Sequence, residues 1–399
     1  MTRRQAGGIS PFDLLVAGLL ITMRLAPAGA QSAEQTNAGE STGSTTAEAM
    51  PTPAVATEDN GFRFLRFGAR ARLISRVTID TKDGHTSFDQ QNARAELRWM
   101  PARWLRGVFE VDVATQRLFK DVYVRFRGRG VGLHVGQFKP PVAALEMKTR
   151  WDISSCDRGL VHDVLVEAMG WAGRRPGAMI ALTPKGRFEA LIGVFRSSHV
   201  RGDRLGDEAF NNLVDDWSPS KQRIAARVVG ASKRLRIGFS GEWKPAEPIP
   251  DEGYQRDWLL NADAAWFDGT KRGGRRIWAE AFVGSSWQDA NAFDADHATF
   301  LAGRVVCAWR RGGKKTGRVY LEPYMMISMI DPDVSIREDV MWEIVTGVNA
   351  GSWRRVRLSL EVQHRRISRN VPLALGIIPR GVAPPTERTR LLLQVGSAL

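Results

Sequence analysis

Cysteine is almost missing from this chain, with 2 among 399 residues, at Cys156 and Cys307. So few exclude a disulfide-stapled scaffold, and without a CxxC pair they exclude the common zinc frameworks. Beyond residue 30 no apolar run reaches the ~18 residues of a spanning helix, which excludes a helical membrane bundle. The 6 histidines (His85, His134, His162, His199, His297 and His364) form no HExxH pair and flank no GxSxG elbow, and a P-loop is absent. No catalytic residue, cofactor site or metal site is therefore assigned, and the chain reads as a non-enzyme. Residues 80–84 (DTKDG) have the composition of a calcium loop without its spacing and read as a plain loop. Acidic residues are the minority charge: 43 Asp+Glu face 57 Lys+Arg, for a net charge of +14. That excess predicts an anionic partner without choosing its kind.

Residues 1–30 carry a basic start (Arg3, Arg4), a short apolar core (Leu14 to Met23) and a small-x-small site at Ala28-Gly29-Ala30. This pattern predicts a secretory signal peptide and Sec-type export, which makes nucleic acid an unexpected partner. Residues 31–60 are small, polar and proline-punctuated, and predict a disordered linker ahead of a structured domain over 61–399.

From residue 61 the hydropathy has period two, the mark of half-buried strands. Ala69, Ala71, Leu73 and Val77 share one face and Arg70, Arg72 and Arg76 the other. Ala93, Ala95, Leu97 and Trp99 oppose Arg94, Glu96 and Arg98. Val122, Val124 and Phe126 oppose Asp121, Tyr123, Arg125 and Arg127. The alternation continues to the last strand, where Leu391, Leu393 and Val395 oppose Arg390 and Gln394. Strands are predicted near 62–80, 90–100, 104–114, 119–127, 131–138, 175–183, 187–196, 221–231, 233–243, 257–267, 275–285, 299–310, 317–329, 340–351, 354–366 and 388–398. Their length of about ten residues is what a tilted strand needs to cross a bilayer.

The predicted connections alternate long and short, with 81–89, 139–174, 197–220, 244–256, 330–339 and 367–387 long and 115–118 the exception. Long loops on one rim and tight turns on the other predict an all-β, antiparallel up-and-down transmembrane barrel of about sixteen strands. Its apolar face would meet lipid and its Arg face the lumen. Trp99, Trp104, Trp266, Trp309, Trp342 and Trp353 fall near strand ends, as an aromatic girdle requires. Local alternation alone also allows a secreted soluble β-sandwich that binds acidic polymers, or a plugged barrel with a structural or adhesive role.

At 121–151 the chain reads DVYVRFRGRGVGLHVGQFKPPVAALEMKTRW. A strand with Asp121 and Tyr123 leads to Gly136-Gln137-Phe138-Lys139-Pro140-Pro141, followed by Glu146, Lys148-Thr149 and Asp157-Arg158. Over about 105–180 this resembles the phosphate-selective porin O and P family. The resemblance implies an outer-membrane homotrimer of sixteen-stranded barrels in a Gram-negative-type cell, whose third long loop folds inward and narrows the pore. It implies outer-membrane lipid as surroundings and small anions such as phosphate as permeant solutes. Two features depart from the family: the chain ends Ala398-Leu399 without a terminal aromatic, and loop 139–174 mixes its basic residues with Glu146, Asp152, Asp157, Asp163 and Glu167.

Rings of basic side chains favour anions, and the guanidinium fork suits phosphate and stays charged. Lys148, Arg150 and Arg158 are the candidate constriction residues. Arg70, Arg72, Arg76, Arg94, Arg98, Arg125 and Arg127 are the candidate lumen ladder. The competing use of these arginines is pairing with Glu96, Glu110, Asp112 and Asp121 to stiffen the wall. Glu146 is expected to anchor the loop to a wall arginine. Gly132 and Gly136 are expected to leave room for a loop packed inside.

Overall fold

The computed structural model describes residues 66–398 except 82–83, 115–117, 150–151, 169, 184–186, 197–221, 250–252, 271–272, 286–298, 313–318, 353–355 and 369–385. The expected signal peptide 1–30 and linker 31–60, Arg150, the Arg201-Gly202-Asp203 triplet and Trp353 lie outside the described residues.

Sixteen antiparallel strands pair each with its chain neighbour, and the first pairs with the last to close a barrel. They are β1 (Arg66–Asp80), β2 (Thr86–Ala102), β3 (Leu105–Asp112), β4 (Phe119–Arg127), β5 (Val131–Phe138), β6 (Arg175–Leu182), β7 (Phe188–Arg196) and β8 (Gln222–Ala231). The circuit continues through β9 (Leu235–Ile249), β10 (Gly253–Thr270), β11 (Gly273–Ser285), β12 (Thr299–Gly312), β13 (Val319–Asp331), β14 (Met341–Ser352), β15 (Val356–Ile367) and β16 (Thr386–Ala398). A β-sandwich keeps open sheet edges; here the β1–β16 register, from Arg72↔Ala398 to Asp80↔Arg390, removes them. The sandwich alternative is excluded on that ground.

The wall is inverted relative to a water-soluble protein. Leu73, Leu97, Ile192, Phe239, Leu260, Leu321, Leu358 and Val395 are exposed on the outside, while Glu242, Asn349, Ser359, Glu361 and Gln394 are buried inside. Exposing a continuous apolar belt is unfavourable in water and favourable against hydrocarbon. Trp99, Trp104, Trp243 and Trp309 are exposed on this outer surface, whereas Trp171 and Trp278 are buried within the barrel.

Tight turns lie on one rim, at 103–104, 128–130 and 232–234, and the longer connections on the other. One predicted loop is corrected. Residues 244–256 do not form a long loop: β9 and β10 stay paired up to Ile249↔Gly253, with a register shift between Gln255 and Asp257 that accommodates the irregular Pro245–Pro248 stretch.

The described residues of 139–174, between β5 and β6, lie inside the barrel. They contain one short helix, α1 (Ala144–Met147), and a second, α2 (Leu160–His162), which runs into a π turn at Asp163–Ala168. Apolar loop residues drive this placement. Val142, Ala143, Leu160, Val161, Val164, Leu165 and Trp171 pack with inward Leu191, Phe195, Ala225, Leu259, Phe282, Phe300, Ile330 and Met341. Leu145 and Ile153 pack in a second cluster with Trp278, Val306, Tyr324, Met326 and Val345. The lumen therefore holds an apolar core along β6–β15, which a wholly water-lined pore would lack.

Candidate functional site

A loop with so little regular structure must find partners for its backbone polar groups. The wall supplies them as side chains. Carboxylates accept the loop amides: Glu280 from Leu145 at 2.7 Å, Glu361 from Cys156 at 2.7 Å, Glu343 from Leu160 at 2.8 Å and Glu242 from Ala172 at 3.1 Å. Donors meet the loop carbonyls: Asn349 that of Ser154 at 2.7 Å, Arg357 that of Ile153 at 2.8 Å and Arg304 that of Arg158 at 3.1 Å. Strand parity reveals that these side chains point inward. It does not reveal that their partner is backbone from a distant loop, so the sequence reading missed them.

The loop centres on Glu146, buried among three cationic groups. Arg304 reaches it at 2.8 Å, Arg158 at 3.2 Å and His162 Nδ1 at 2.7 Å. Burial by itself would push the Glu146 carboxyl up, but His162, Arg158 and Arg304 overcome it and hold it well below the usual range. Burial would push His162 down, and Glu146 and Glu167 reverse that and raise it. Arg304 also binds Glu280 at 2.6 Å. The expected anchoring of Glu146 to a wall arginine is thus realised through Arg304.

Gly159 permits a close contact between loop and wall. Its φ is +76°, and a Cβ there would come within 2.4 Å of Met326 Cε and 2.6 Å of Glu343 Oε2. The role expected of Gly136 is corrected. A Cβ there would meet Val122 O at 2.3 Å and Tyr123 Cα at 2.7 Å, so this glycine serves a close strand approach within β4–β5 and not the loop.

The predicted constriction residues separate. Lys148 is half-buried, with its ammonium 4.1 Å from the centre of the Trp278 ring. Burial pushes it down to about 8, against the opposing pull of Glu280 and Asp152. Arg158 is buried, and its guanidinium donates to the carbonyls of Leu145 and Lys148 as well as to Glu146. Its hydrogen-bonding capacity is used within the loop, so the position expected for it, facing solute at the narrowest point, is not the one it occupies. Arg150 lies outside the described residues.

The ladder residues lie together on β1, β2 and β4. Arg72 meets Glu96 at 3.0 Å, Arg94 meets Glu110 at 2.9 Å and Asp112 at 2.8 Å, and Arg98 also pairs with Glu96. Arg76 reaches across the lumen to Asp157 of the loop at 3.0 Å. Arg70 lies opposite Glu96 on the paired strand. Arg125 lies on the lumen face opposite Arg106, and Arg127 is exposed at the short-turn rim. Pairing is therefore widespread, yet Arg72, Arg94 and Arg98 keep side-chain exposures of 13%, 16% and 20%. Cys156 and Cys307 are both free. Among the described residues no group of three His, Cys, Asp or Glu is arranged to hold a metal ion.

The fold is that of outer-membrane porins of known structure. The chain is similar to the anion-selective porin from Comamonas acidovorans, with TM-score 0.59 and 11% identity over 84% of this chain and 100% of that one. It is similar to the outer-membrane channel DcaP of Acinetobacter baumannii, with TM-score 0.56 and 10% identity over 86% and 100%. It is also similar to OmpT of Vibrio cholerae in a trimer form, with TM-score 0.50 and 7% identity over 84% and 100%. At such identities the likeness carries the fold alone. No protein-family profile matches the chain, and no curated protein sequence does.

Proposed function

We propose that this protein is an outer-membrane porin of a Gram-negative-type cell, a passive diffusion channel that prefers anions and carries out no covalent chemistry. The observation that carries this reading is the asymmetric lumen. The loop is fastened mainly to β8–β15, while β1 and β2 present Arg72, Arg94 and Arg98, still partly exposed, across from it. Solutes would pass between these arginines and the loop, with Lys148 on the loop side. Attraction to a basic wall admits the anion, and the carboxylates Glu96, Glu110 and Asp112 keep the binding weak enough for release. The likeness to an anion-selective porin supports the same reading. Phosphate is the finer proposal, supported by the guanidinium forks and by the resemblance at 121–158. Homotrimer assembly is proposed from that resemblance and from the trimer form of one structural neighbour. The short-turn rim is assigned to the periplasm, as is usual for such barrels.

The test is reversal potential in a planar bilayer across a KCl gradient. Chloride-selective current supports the proposal, and cation-selective current overturns the anion preference. A second reading rests on the two apolar clusters inside the lumen: a barrel closed by its loop, with a structural role. Folded, heat-modifiable protein that inserts but passes no current would establish that reading instead.

A further inference from the structure

Most lumen arginines of known partner are compensated, but one adjacent pair is not. Arg106 on β3 and Arg125 on β4 are direct cross-strand partners on the lumen face. Like charges in that position repel. Among the described residues neither makes an ion pair, and the Nε atoms of both are buried without an acceptor. The carboxylates nearby are engaged: Glu96 by Arg72 and Arg98, and Asp121 by Arg174 at 2.7 Å. The next residue in the row is His134, which faces Arg125 across β4–β5 and has its own Nε2 buried and unpartnered. The floor beneath is rigid. The His134 ring lies parallel to Tyr123, with centroids 5.8 Å apart and 3° between planes, and Phe138 packs edge-on to both.

Two arginines paired across neighbouring strands, each with a buried unfilled donor and no ion pair among the described residues, are suited to hold an anion. We propose that Arg106 and Arg125, with His134 beside them, form an oxyanion-binding rung at the short-turn end of the lumen, apart from the loop. Its ligand is a small anion with at least two oxygens to share between the forks, a carboxylate or a phosphate group; chloride lacks that geometry. The inference rests on the anion-channel reading and adds to it a residue pair, Arg106 with Arg125, at which transit would pause on the short-turn side. The paired arginines of β1 and β2 would then attract anions, and this rung would discriminate among them.

The experiment compares the full-length wild type with Arg106→Ala/Arg125→Ala in planar bilayers. Chloride conductance is measured first, and inorganic phosphate or acetate is then added on the short-turn side. The half-blocking concentration of one or both anions should rise about tenfold or more in the double variant, the loss of two charge-assisted contacts. Which anion is affected identifies the ligand. Equal block in both proteins, by phosphate and by acetate, overturns the rung while leaving the channel intact. Arg125→Lys guards against misfolding, since it keeps the charge and removes the fork; it should show an intermediate rise, and a wild-type response would overturn the assignment. Should the wild type pass no chloride at all, the channel reading fails first. The rung is then tested alone by phosphate titration of the detergent-solubilised proteins, where equal affinity of wild type and double variant overturns it.

Discussion

The two sides of the lumen use the same residue type for opposite ends. On β1 and β2, Arg72, Arg94 and Arg98 retain side-chain exposures of 13–20%. On β8 and β12, Arg227 and Arg304 retain 1% each, paired to Asp263 at 2.7 Å and Glu280 at 2.6 Å. Both sets stand on alternating strands and point inward. The difference is what faces them. The loop lies against the second wall and removes its arginines from water, and Arg304 becomes a fastener through Glu146 and the Arg158 carbonyl. A buried ion pair contributes little net stability over a well-packed apolar pair, but losing one partner leaves an uncompensated charge. An accessible pair contributes only ~0–1 kcal/mol. Stability and selectivity are thus assigned to different walls, and substitution should separate them.

The largest effect is expected at Arg304. Arg304→Met leaves Glu280 without its arginine, takes from Glu146 one of its three cationic partners and frees the Arg158 carbonyl, contacts now made at 2.6, 2.8 and 3.1 Å. The loss should be about 3–5 kcal/mol of loop seating. It is read as a lower heat-modification midpoint on gels and as a larger, noisier single-channel conductance. Unchanged conductance would mean that the loop is held by its apolar contacts alone. Next comes Gly159→Ala, which adds a Cβ at positive φ within 2.4 Å of Met326 and 2.6 Å of Glu343. The strain alone is about 1–2 kcal/mol, and the wall must also give way. The phenotype should be that of Arg304→Met in milder form. On the opposite wall, Arg98→Ala should leave the midpoint within about 1 kcal/mol of wild type and still move the reversal potential toward cation selectivity. A fall in stability as large as that of Arg304→Met would erase the proposed distinction between the walls.

How much of this was legible in the sequence follows from the range of the interactions. Strand alternation is local, so all sixteen strands and the inward face could be read from residues two apart, as with Arg70, Arg72 and Arg76. The inward course of 139–174 was signalled by the motif at 136–141 and by loop length. The separation of the arginines was not legible. Arg304 and Arg98 sit in the same local pattern, and their fates differ because Glu146, 158 residues away from Arg304, meets only one of them. Arg158 illustrates the same limit: its sequence surroundings mark a charged loop, and only the folded path buries it against Leu145, Glu146 and Lys148. The β9–β10 boundary departs from the expected loop 244–256 because strand pairing there tolerates prolines at 245 and 248 beside a bulge.

The smallest and sharpest test uses Lys148, the one predicted residue that belongs to both walls: it is on the fastened loop and proposed to face the passage. Burial lowers it from 10.5 to about 8, so its charge is lost near physiological pH, while the arginines stay charged. If Lys148 borders the passage, anion selectivity should fall as pH rises from about 7 to 9. Lys148→Arg should remove that dependence, and Lys148→Met should fix the high-pH value. Linkage gives stability the opposite sign. A lysine whose pKa is lower folded than unfolded binds fewer protons in the native state between about 8 and 10.5, so folding gains as pH rises through that range. A gain in midpoint accompanied by a loss of selectivity is therefore the expected signature of one buried ammonium at the passage. Selectivity that is flat with pH, beside a midpoint that still rises, would put Lys148 wholly on the fastened side and leave the passage to the arginines of β1 and β2.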